Sequence, residues 1–280
     1  MTPSSSTVPQ SEKANRFRAL HDRNEAFIIP NPYDLGTARL LEHLGFEALA
    51  TTSAGFAFTL GRRDYRLQRD QVLAHITALS SGTNLPVSAD LENGFGDAPE
   101  TAAETIRLAA AAGAVGGSIE DSTGRAESPI YDIEAAAERV RAAAASARAT
   151  ASGFVLTARA ENYLHGHTDL NDTIKRLQAY QDAGADVLYA PGIMTKDDIA
   201  AVVSSVDRPV NVLMGFPEVP LTLADLSALG VKRVSVGSGL SRAALGGFLR
   251  AALEMRESGT FNWSADAVSS VSELTATFPE

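Results

Sequence analysis

Short apolar, β-branched runs alternate with Ala- and Leu-rich segments of helical period along this chain of 280 residues. Runs at 26–30, 47–52, 86–90, 116–120, 154–159, 186–190, 209–213 and 232–237 predict eight strands, since each is short, bounded by turn residues and rich in strand formers. Between them apolar residues fall three or four apart, as at Val72, Ile76 and Leu79 or Ile133, Ala137, Val140 and Ala144. That spacing gives a helix one face to bury. Glycines recur just ahead of strands, in Leu44-Gly45-Phe46, Ala112-Gly113-Ala114, Ala183-Gly184-Ala185 and Leu229-Gly230-Val231, where a helix end needs a residue that tolerates the left-handed conformation. Alternation of strand and helix implies parallel pairing, because a parallel neighbour is reached only through a crossover. Eight such units close a barrel, so the expected fold is an α/β (β/α)8 TIM barrel. An open doubly wound sheet would carry a Gly-rich dinucleotide fingerprint after the first strand, and Asn31-Pro32-Tyr33-Asp34-Leu35-Gly36 lacks it.

Past the last strand the pattern predicts a helix over 240–258 and another through Leu274, so the barrel carries extra C-terminal helices. They supply more apolar surface than a closed barrel needs, with Phe248, Leu249 and Leu253 prominent. A partner subunit would cover it, which predicts a homo-oligomer, a dimer or tetramer. The Ser-, Thr- and Pro-rich start reads as a mobile tail over 1–16, leaving 17–280 as one domain.

Composition narrows the function. A net charge of −10 and the lack of a basic face argue against nucleic acid. No apolar run approaches the roughly 20 residues that span a bilayer, and the start lacks a signal-peptide pattern. A cytoplasmic protein with a small-molecule partner is therefore expected. The chain has no cysteine, which rules out thiolate ligands, disulfides and a cysteine nucleophile or acid.

In a TIM barrel the active site lies at the carboxyl ends of the strands. The third predicted strand runs into Asp90-Leu91-Glu92-Asn93-Gly94, and the fourth ends in Glu120-Asp121. Residues two apart on extended chain share a face, so Asp90 and Glu92 can point to one place, with Glu120 arriving from the neighbouring strand. Converging carboxylates repel unless a cation or protons intervene, and an all-oxygen set suits Mg²⁺ or Mn²⁺. Helix capping and surface ion pairs are the alternative use of such acids. Arg159 ends the fifth strand, where it can clamp a substrate carboxylate or pair with Glu161. Thr51-Thr52-Ser53-Ala54-Gly55 offers hydroxyls and amides to an anionic oxygen. His165 and His167 lack a third ligand at recognisable spacing and read as loop residues. Val236-Gly237-Ser238-Gly239 resembles a phosphate-binding turn, although close helix packing explains its glycines equally well.

Several motifs stand in order: Asn31-Pro32-Tyr33-Asp34, Thr52-Ser53-Ala54-Gly55, Leu60-Gly61-Arg62-Arg63-Asp64, Ser88-Ala89-Asp90-Leu91-Glu92-Asn93-Gly94-Phe95-Gly96, Ser118-Ile119-Glu120-Asp121 and Thr157-Ala158-Arg159-Ala160-Glu161. Through them the chain resembles the isocitrate lyase/phosphoenolpyruvate mutase superfamily from about residue 17 to residue 263. The resemblance implies that Asp90, Glu92 and Glu120 form the direct or water-mediated Mg²⁺ shell and that Asp64 borders the site. It places Thr52, Ser53 and Ala54 where a substrate carboxylate or phosphoryl oxygen binds, and makes Arg159 the substrate-binding arginine. The shared chemistry of the family is a metal-stabilised, pyruvate-like enolate.

Two departures shape the functional expectation. The lyases carry a Lys-Lys-Cys-Gly-His loop after the fourth strand; here Ser122-Thr123-Gly124-Arg125-Ala126-Glu127-Ser128-Pro129 occupies that place. Isocitrate and methylisocitrate cleavage is therefore not expected. The phosphonate-forming mutases have a longer loop with a Lys and an Asn, again without an equivalent here. The leading expectation is C–C cleavage of a small 2-oxo or 2-hydroxy acid, by a lyase or by an oxaloacetate-type hydrolase or decarboxylase. C–P chemistry on phosphonopyruvate or phosphoenolpyruvate is the enzyme alternative, and a non-catalytic carboxylate-binding barrel is the alternative of another class. Within the loop, Glu127 could serve as an acid if buried, and Arg125 could hold a second carboxylate.

Overall fold

The alternation of elements is realised in a computed structural model that describes residues 8–267 and 271–278. The strands β1 (Phe27–Ile29), β2 (Leu49–Ala50), β3 (Val87–Asp90), β4 (Gly116–Glu120), β5 (Val155–Arg159), β6 (Val187–Tyr189), β7 (Val210–Leu213) and β8 (Arg233–Ser235) each fall inside an expected run. All pair in parallel, in the order β1-β8-β7-β6-β5-β4-β3-β2. Between β1 and β2 the ring is joined by the Ala50 amide, which donates to the Pro30 carbonyl at 3.0 Å. The Asn31 side chain reinforces this seam by donating to the Thr51 carbonyl at 2.9 Å.

Helix α1 (Gln10–His21) precedes β1, α2 (Leu35–His43) follows it, and α3 (Ser53–Thr59) and α4 (Arg69–Gly82) both follow β2. The next crossovers are α5 (Pro99–Ala111), α6 (Ile133–Ala149), α7 (Leu170–Ala183), α8 (Lys196–Ser204) and α9 (Leu223–Ala228). After β8 come α10 (Gly239–Ser258) and α11 (Val271–Thr275). Val72, Ile76 and Leu79 of α4 are buried, as are Ala137, Val140 and Ala144 of α6, so the helical spacing marks the inner faces correctly. The four glycines ahead of strands adopt φ of 85° (Gly45), 102° (Gly113), 105° (Gly184) and 86° (Gly230), the left-handed values that stop a helix and turn the chain into the next strand.

The expected tail ends sooner than residue 16. Residues 10–16 belong to α1, where Lys13, Ala14 and Phe17 are buried. Lys13 donates to the carbonyls of Ser80 at 2.8 Å and Thr83 at 2.6 Å. Phe17 packs with Phe27, Ile29, Val155 and Val187 in one apolar cluster, so α1 plugs the end of the barrel opposite the site. Apolar residues of this helix alternate with charged ones, which is why its amphipathic character was weak in the sequence. Residues 1–7 of the expected tail lie outside the described residues.

Above that plug the barrel interior turns polar. Ser88, Ser118, Asn211, Arg233 and Ser235 line a cavity where branched apolar side chains would be usual. Among the described residues no helix is long and apolar enough to cross a membrane.

Candidate active site

The carboxyl ends of β3, β4 and β5 deliver the charged residues of the site. Asp90 closes β3, Glu120 closes β4 and Arg159 closes β5, with Glu120 and Arg159 in direct register. Arg159 Nη1 lies 3.1 Å from Asp90 Oδ1 and 3.2 Å from Glu120 Oε2. Its Nε and Nη2 reach Glu161 Oε1 at 2.9 and 2.7 Å. The expected pairing with Glu161 is thus present: Glu161 holds the shaft side of the guanidinium, while Nη1 faces Asp90 and Glu120. The Tyr189 ring supports it from below, with its centroid 5.0 Å from the guanidinium carbon.

Thr52 caps α3 by accepting from the Gly55 amide at 3.2 Å. This cap aims the next residues at β3: the Ser53 amide donates to Asp90 Oδ2 at 3.1 Å, and the Ser53 side chain bonds to Asp64. Thr52, Ser53, Ala54, Asp64, Asp90 and Arg159 all line one cavity of about 180 Å³ in the barrel mouth. Asp64 also lines a larger outer groove of about 980 Å³, together with Tyr65, Glu92, Arg125 and His165. Arg66 and Arg69 border that groove, a local concentration of arginine that net charge alone conceals.

The electrostatics are one-sided. Five carboxyls, on Asp64, Asp90, Glu92, Glu120 and Glu161, interact around the single Arg159 guanidinium. Burial, followed by repulsion from Asp90 and Asp64, pushes the Glu92 carboxyl up to about 8. Burial and then Asp90 raise Asp64. Burial also raises Glu120 and Glu161 against the opposing pull of Arg159. For Arg159 burial opposes the charge, but Glu161, Glu120 and Asp90 outweigh it and hold the guanidinium ionised.

The expected metal shell is only partly assembled. Among the described residues no three His, Cys, Asp or Glu side chains converge as a ready-made cation site. Arg159 stands between Asp90 and Glu120, and Glu120 additionally accepts from the Tyr65 hydroxyl. Glu92 supplies the feature that fits a cation: its Oε1 is buried without a hydrogen-bond partner. Its backbone takes the left-handed region with φ of 49°, a cost of about 1–3 kcal/mol for a residue with a side chain. A buried, orphaned carboxylate oxygen beside Asp64 and Asp90 is chemically suited to a hard divalent ion.

Other sequence candidates fall outside this cluster. Asp121 points away from Glu120 into a buried network, accepting from the Glu161 amide at 2.7 Å, Arg176 at 2.9 Å and the Tyr180 hydroxyl at 2.6 Å. His165 and His167 lie in and just after a 3₁₀ turn at Asn162–His165, and His165 lines the outer groove. The amides of Val236 and Gly237 both donate to Asn31 Oδ1 at 2.9 Å, so these two are engaged within the protein, although Gly237 and Ser238 line the cavity of about 180 Å³. Glu127 is exposed, which removes the burial an acid role required. Arg125 is paired with Asp97 at 2.8 Å.

Tyr65 and Tyr189 were not picked out by sequence, whereas Glu161 entered only as the ion-pair partner of Arg159 and Asn31 only as part of a motif. Tyr65 follows Asp64 directly, but its positive φ of 59°, which turns it toward Glu120, has no sequence signal. Arg233 was also missed, although a lone arginine in a strand otherwise rich in valine was a visible anomaly.

Residues 17–256 match the family model described as phosphoenolpyruvate phosphomutase. A solved structure from Burkholderia cenocepacia J2315, provisionally described as a lyase/mutase, is 62% identical with a TM-score of 0.94 and covers 97% of both chains. An oxaloacetate decarboxylase from Bradyrhizobium sp. (strain BTAi1 / ATCC BAA-1182) is 31% identical over 73% of this chain and 70% of its own length. The structure of a phosphonopyruvate hydrolase complex with oxalate and Mg²⁺ is 27% identical, with a TM-score of 0.83, covering 95% of this chain and 94% of that one.

Proposed function

The chain belongs to the phosphoenolpyruvate phosphomutase family, within the isocitrate lyase/phosphoenolpyruvate mutase superfamily of enzymes, and from that premise we propose that it cleaves a C–C bond in a small 2-oxo or 2-hydroxy carboxylic acid. The observation that carries this reading is Arg159 between Asp90 and Glu120 at the mouth of a cavity of about 180 Å³. That volume suits an acid of a few carbons and is smaller than the roughly 300 Å³ at which drug-sized pockets begin.

Asp90, Glu92 and Glu120 would hold Mg²⁺, with Asp64 beside them; Mn²⁺ would satisfy the same oxygen donors. When bound, the cation neutralises the acids and polarises the carbonyl next to the bond that breaks. Arg159 orients the substrate carboxylate and stabilises negative charge as it develops on the carbonyl oxygen. Thr52, Ser53 and Ala54 form the rim that receives a second oxygen of the substrate. The Tyr65 hydroxyl donates to Glu120, and burial raises the phenol so that this proton stays in place. Asp64 borders both the cavity and the outer groove, the position from which a carboxyl can exchange protons with a leaving fragment.

The relative described as an oxaloacetate decarboxylase favours the C–C reading, and the short, tethered loop at 122–129 offers no Lys and Asn pair for the mutase alternative. Hydrolysis of a C–P bond remains the second reading, on the strength of the phosphonopyruvate hydrolase likeness. We also assign self-association to α10, where Phe248, Leu249 and Leu253 are 69%, 56% and 43% exposed. The test of the function is product analysis with Mg²⁺ and a panel of small acids, in which oxaloacetate and phosphonopyruvate separate the two readings.

A further inference from the structure

Arg233 is 5% exposed and has no ion pair to a carboxylate among the described residues. Neutral groups hold it: Nε donates to Asn211 Oδ1 at 2.9 Å, Nη2 donates to Thr157 Oγ1 at 2.9 Å, and Nη1 lies 3.4 Å from His21 Nε2. Burial, together with the nearby Arg233 charge, pushes His21 down to about 3, so its ring is neutral and can accept. Burial pushes Arg233 itself down to about 10, which still leaves a full cation at neutral pH. A buried cation without a counter-charge is costly, and one that serves only as a strut has no need to line a cavity. Arg233 lines the same cavity as Asp90 and Arg159.

The sheet register shows how the two guanidinium groups come to face one space. Arg159 pairs with Tyr189, Tyr189 with Asn211 and Asn211 with Arg233, on successive strands. Partners in a parallel sheet point to the same face, so this row lies inside the barrel. Barrel strands tilt by about 36° and lie about 4.8 Å apart, so three steps along the row descend roughly 8 Å along the axis. The row runs from the mouth at Arg159 to the floor at Arg233. Its polar members are tied together, with Asn211 donating to Ser235 Oγ at 2.9 Å and Tyr189 bonded to the Ser235 side chain.

We propose that Arg233, with Ser235 and Asn211, is a second anion-recognition point that binds the remote carboxylate of a dicarboxylic acid whose reacting end is held at Arg159. The cavity then measures its substrate between two cations on one axis, and a four- or five-carbon diacid spans it where a monocarboxylate does not. This inference rests on the proposed function, since it assumes that a 2-oxo or 2-hydroxy acid occupies the mouth.

Malate and lactate test it, because they share the 2-hydroxy acid end and differ in the remote carboxylate. Calorimetry on the Mg²⁺-loaded full chain is expected to show malate binding at least tenfold tighter than lactate. Arg233→Gln should abolish that preference while leaving lactate affinity unchanged. Equal losses for both ligands, or a preserved preference in the folded variant, would overturn the assignment. Equal affinities in the parent overturn it alone, whereas binding of neither ligand removes the proposed function and this inference with it. Should Arg233→Gln fail to fold, a crystal structure of the parent with Mg²⁺ and malate decides: a carboxylate on Arg233 supports the assignment, and a malate with both carboxylates elsewhere contradicts it.

Discussion

Arg159 Nη1 sits 3.1 Å from Asp90 Oδ1, joining the ends of β5 and β3 across the intervening β4. The same nitrogen lies 3.2 Å from Glu120 Oε2, so one guanidinium links the three strand ends that carry the chemistry. The fork geometry makes this possible, since Nε and Nη2 are engaged by Glu161 while Nη1 remains directed at the acids.

Arg159→Lys keeps the charge but loses the fork. A charge-assisted hydrogen bond is worth about 1.5–3 kcal/mol, so kcat/KM should fall roughly 10- to 100-fold in a folded variant. Steady-state kinetics on the identified substrate, alongside circular dichroism, measures this. Parent-like turnover would make Arg159 a structural ion-pair residue.

The acids predict a distinct pH dependence for the metal-free protein. Glu92 is raised to about 8, against an unfolded carboxyl near 4.3. Between those values the folded state holds more protons than the unfolded one, so stability falls as pH rises through the window. In EDTA the parent should lose thermal stability between pH 5 and about 8 relative to Glu92→Gln, and Mg²⁺ should restore it at the upper end. Parallel curves for the two proteins would refute this.

Metal binding should depend on the same cluster. Asp90→Ala removes one oxygen donor and leaves Arg159 unbalanced, so calorimetry is expected to show Mg²⁺ affinity lowered by about tenfold or more, the scale on which lost ligand support acts. Unchanged affinity in a folded Asp90→Ala protein would place the cation elsewhere.

Substitution probes the apolar face of α10. Light scattering at micromolar concentration should show a dimer or tetramer for the parent and a smaller species for Phe248→Asp combined with Leu249→Asp. A monomeric parent would leave these exposed residues, at 69% and 56%, unexplained by self-association.

The barrel was legible because its determinants are local and periodic. Gly45, Gly113, Gly184 and Gly230 stand where helices end, and the strand runs are separated by helices with one apolar face. Asp90, Glu120 and Arg159 were legible because barrel geometry sends the ends of β3, β4 and β5 to one place. What stayed hidden depends on long-range pairing or on rare backbone states. The Tyr65 contact to Glu120 spans 55 residues and needs a positive φ at Tyr65. The engagement of the Val236 and Gly237 amides by Asn31 spans about 205 residues, and no spacing rule connects such distant positions. Residues 10–16 of helix α1 read as tail in sequence because Lys13 is buried by reaching carbonyls of residues 80 and 83, a contact without a hydrophobic signature, and Ala14 packs on strands distant in the chain.

The loop after β4 bears on which bond can break. Ser122 bridges Ile130 and Arg125 is held by Asp97, leaving no cysteine and no buried acid in residues 122–129, while the buried Asp121 is tied up by Arg176 and Tyr180. Isocitrate and methylisocitrate should therefore be turned over negligibly. Release of glyoxylate or pyruvate from either, followed by NMR, would show that another group supplies the proton.

The most direct test of the central claim is NMR product analysis of the Mg²⁺-loaded protein incubated with oxaloacetate, dimethylmalate and phosphonopyruvate, against a metal-free control. C–C cleavage of the oxo or hydroxy acids, abolished by EDTA and slowed roughly 10- to 100-fold by Arg159→Lys, is the predicted result. Turnover of phosphonopyruvate alone, with phosphate released and the other acids untouched, would contradict it and establish C–P chemistry at this site.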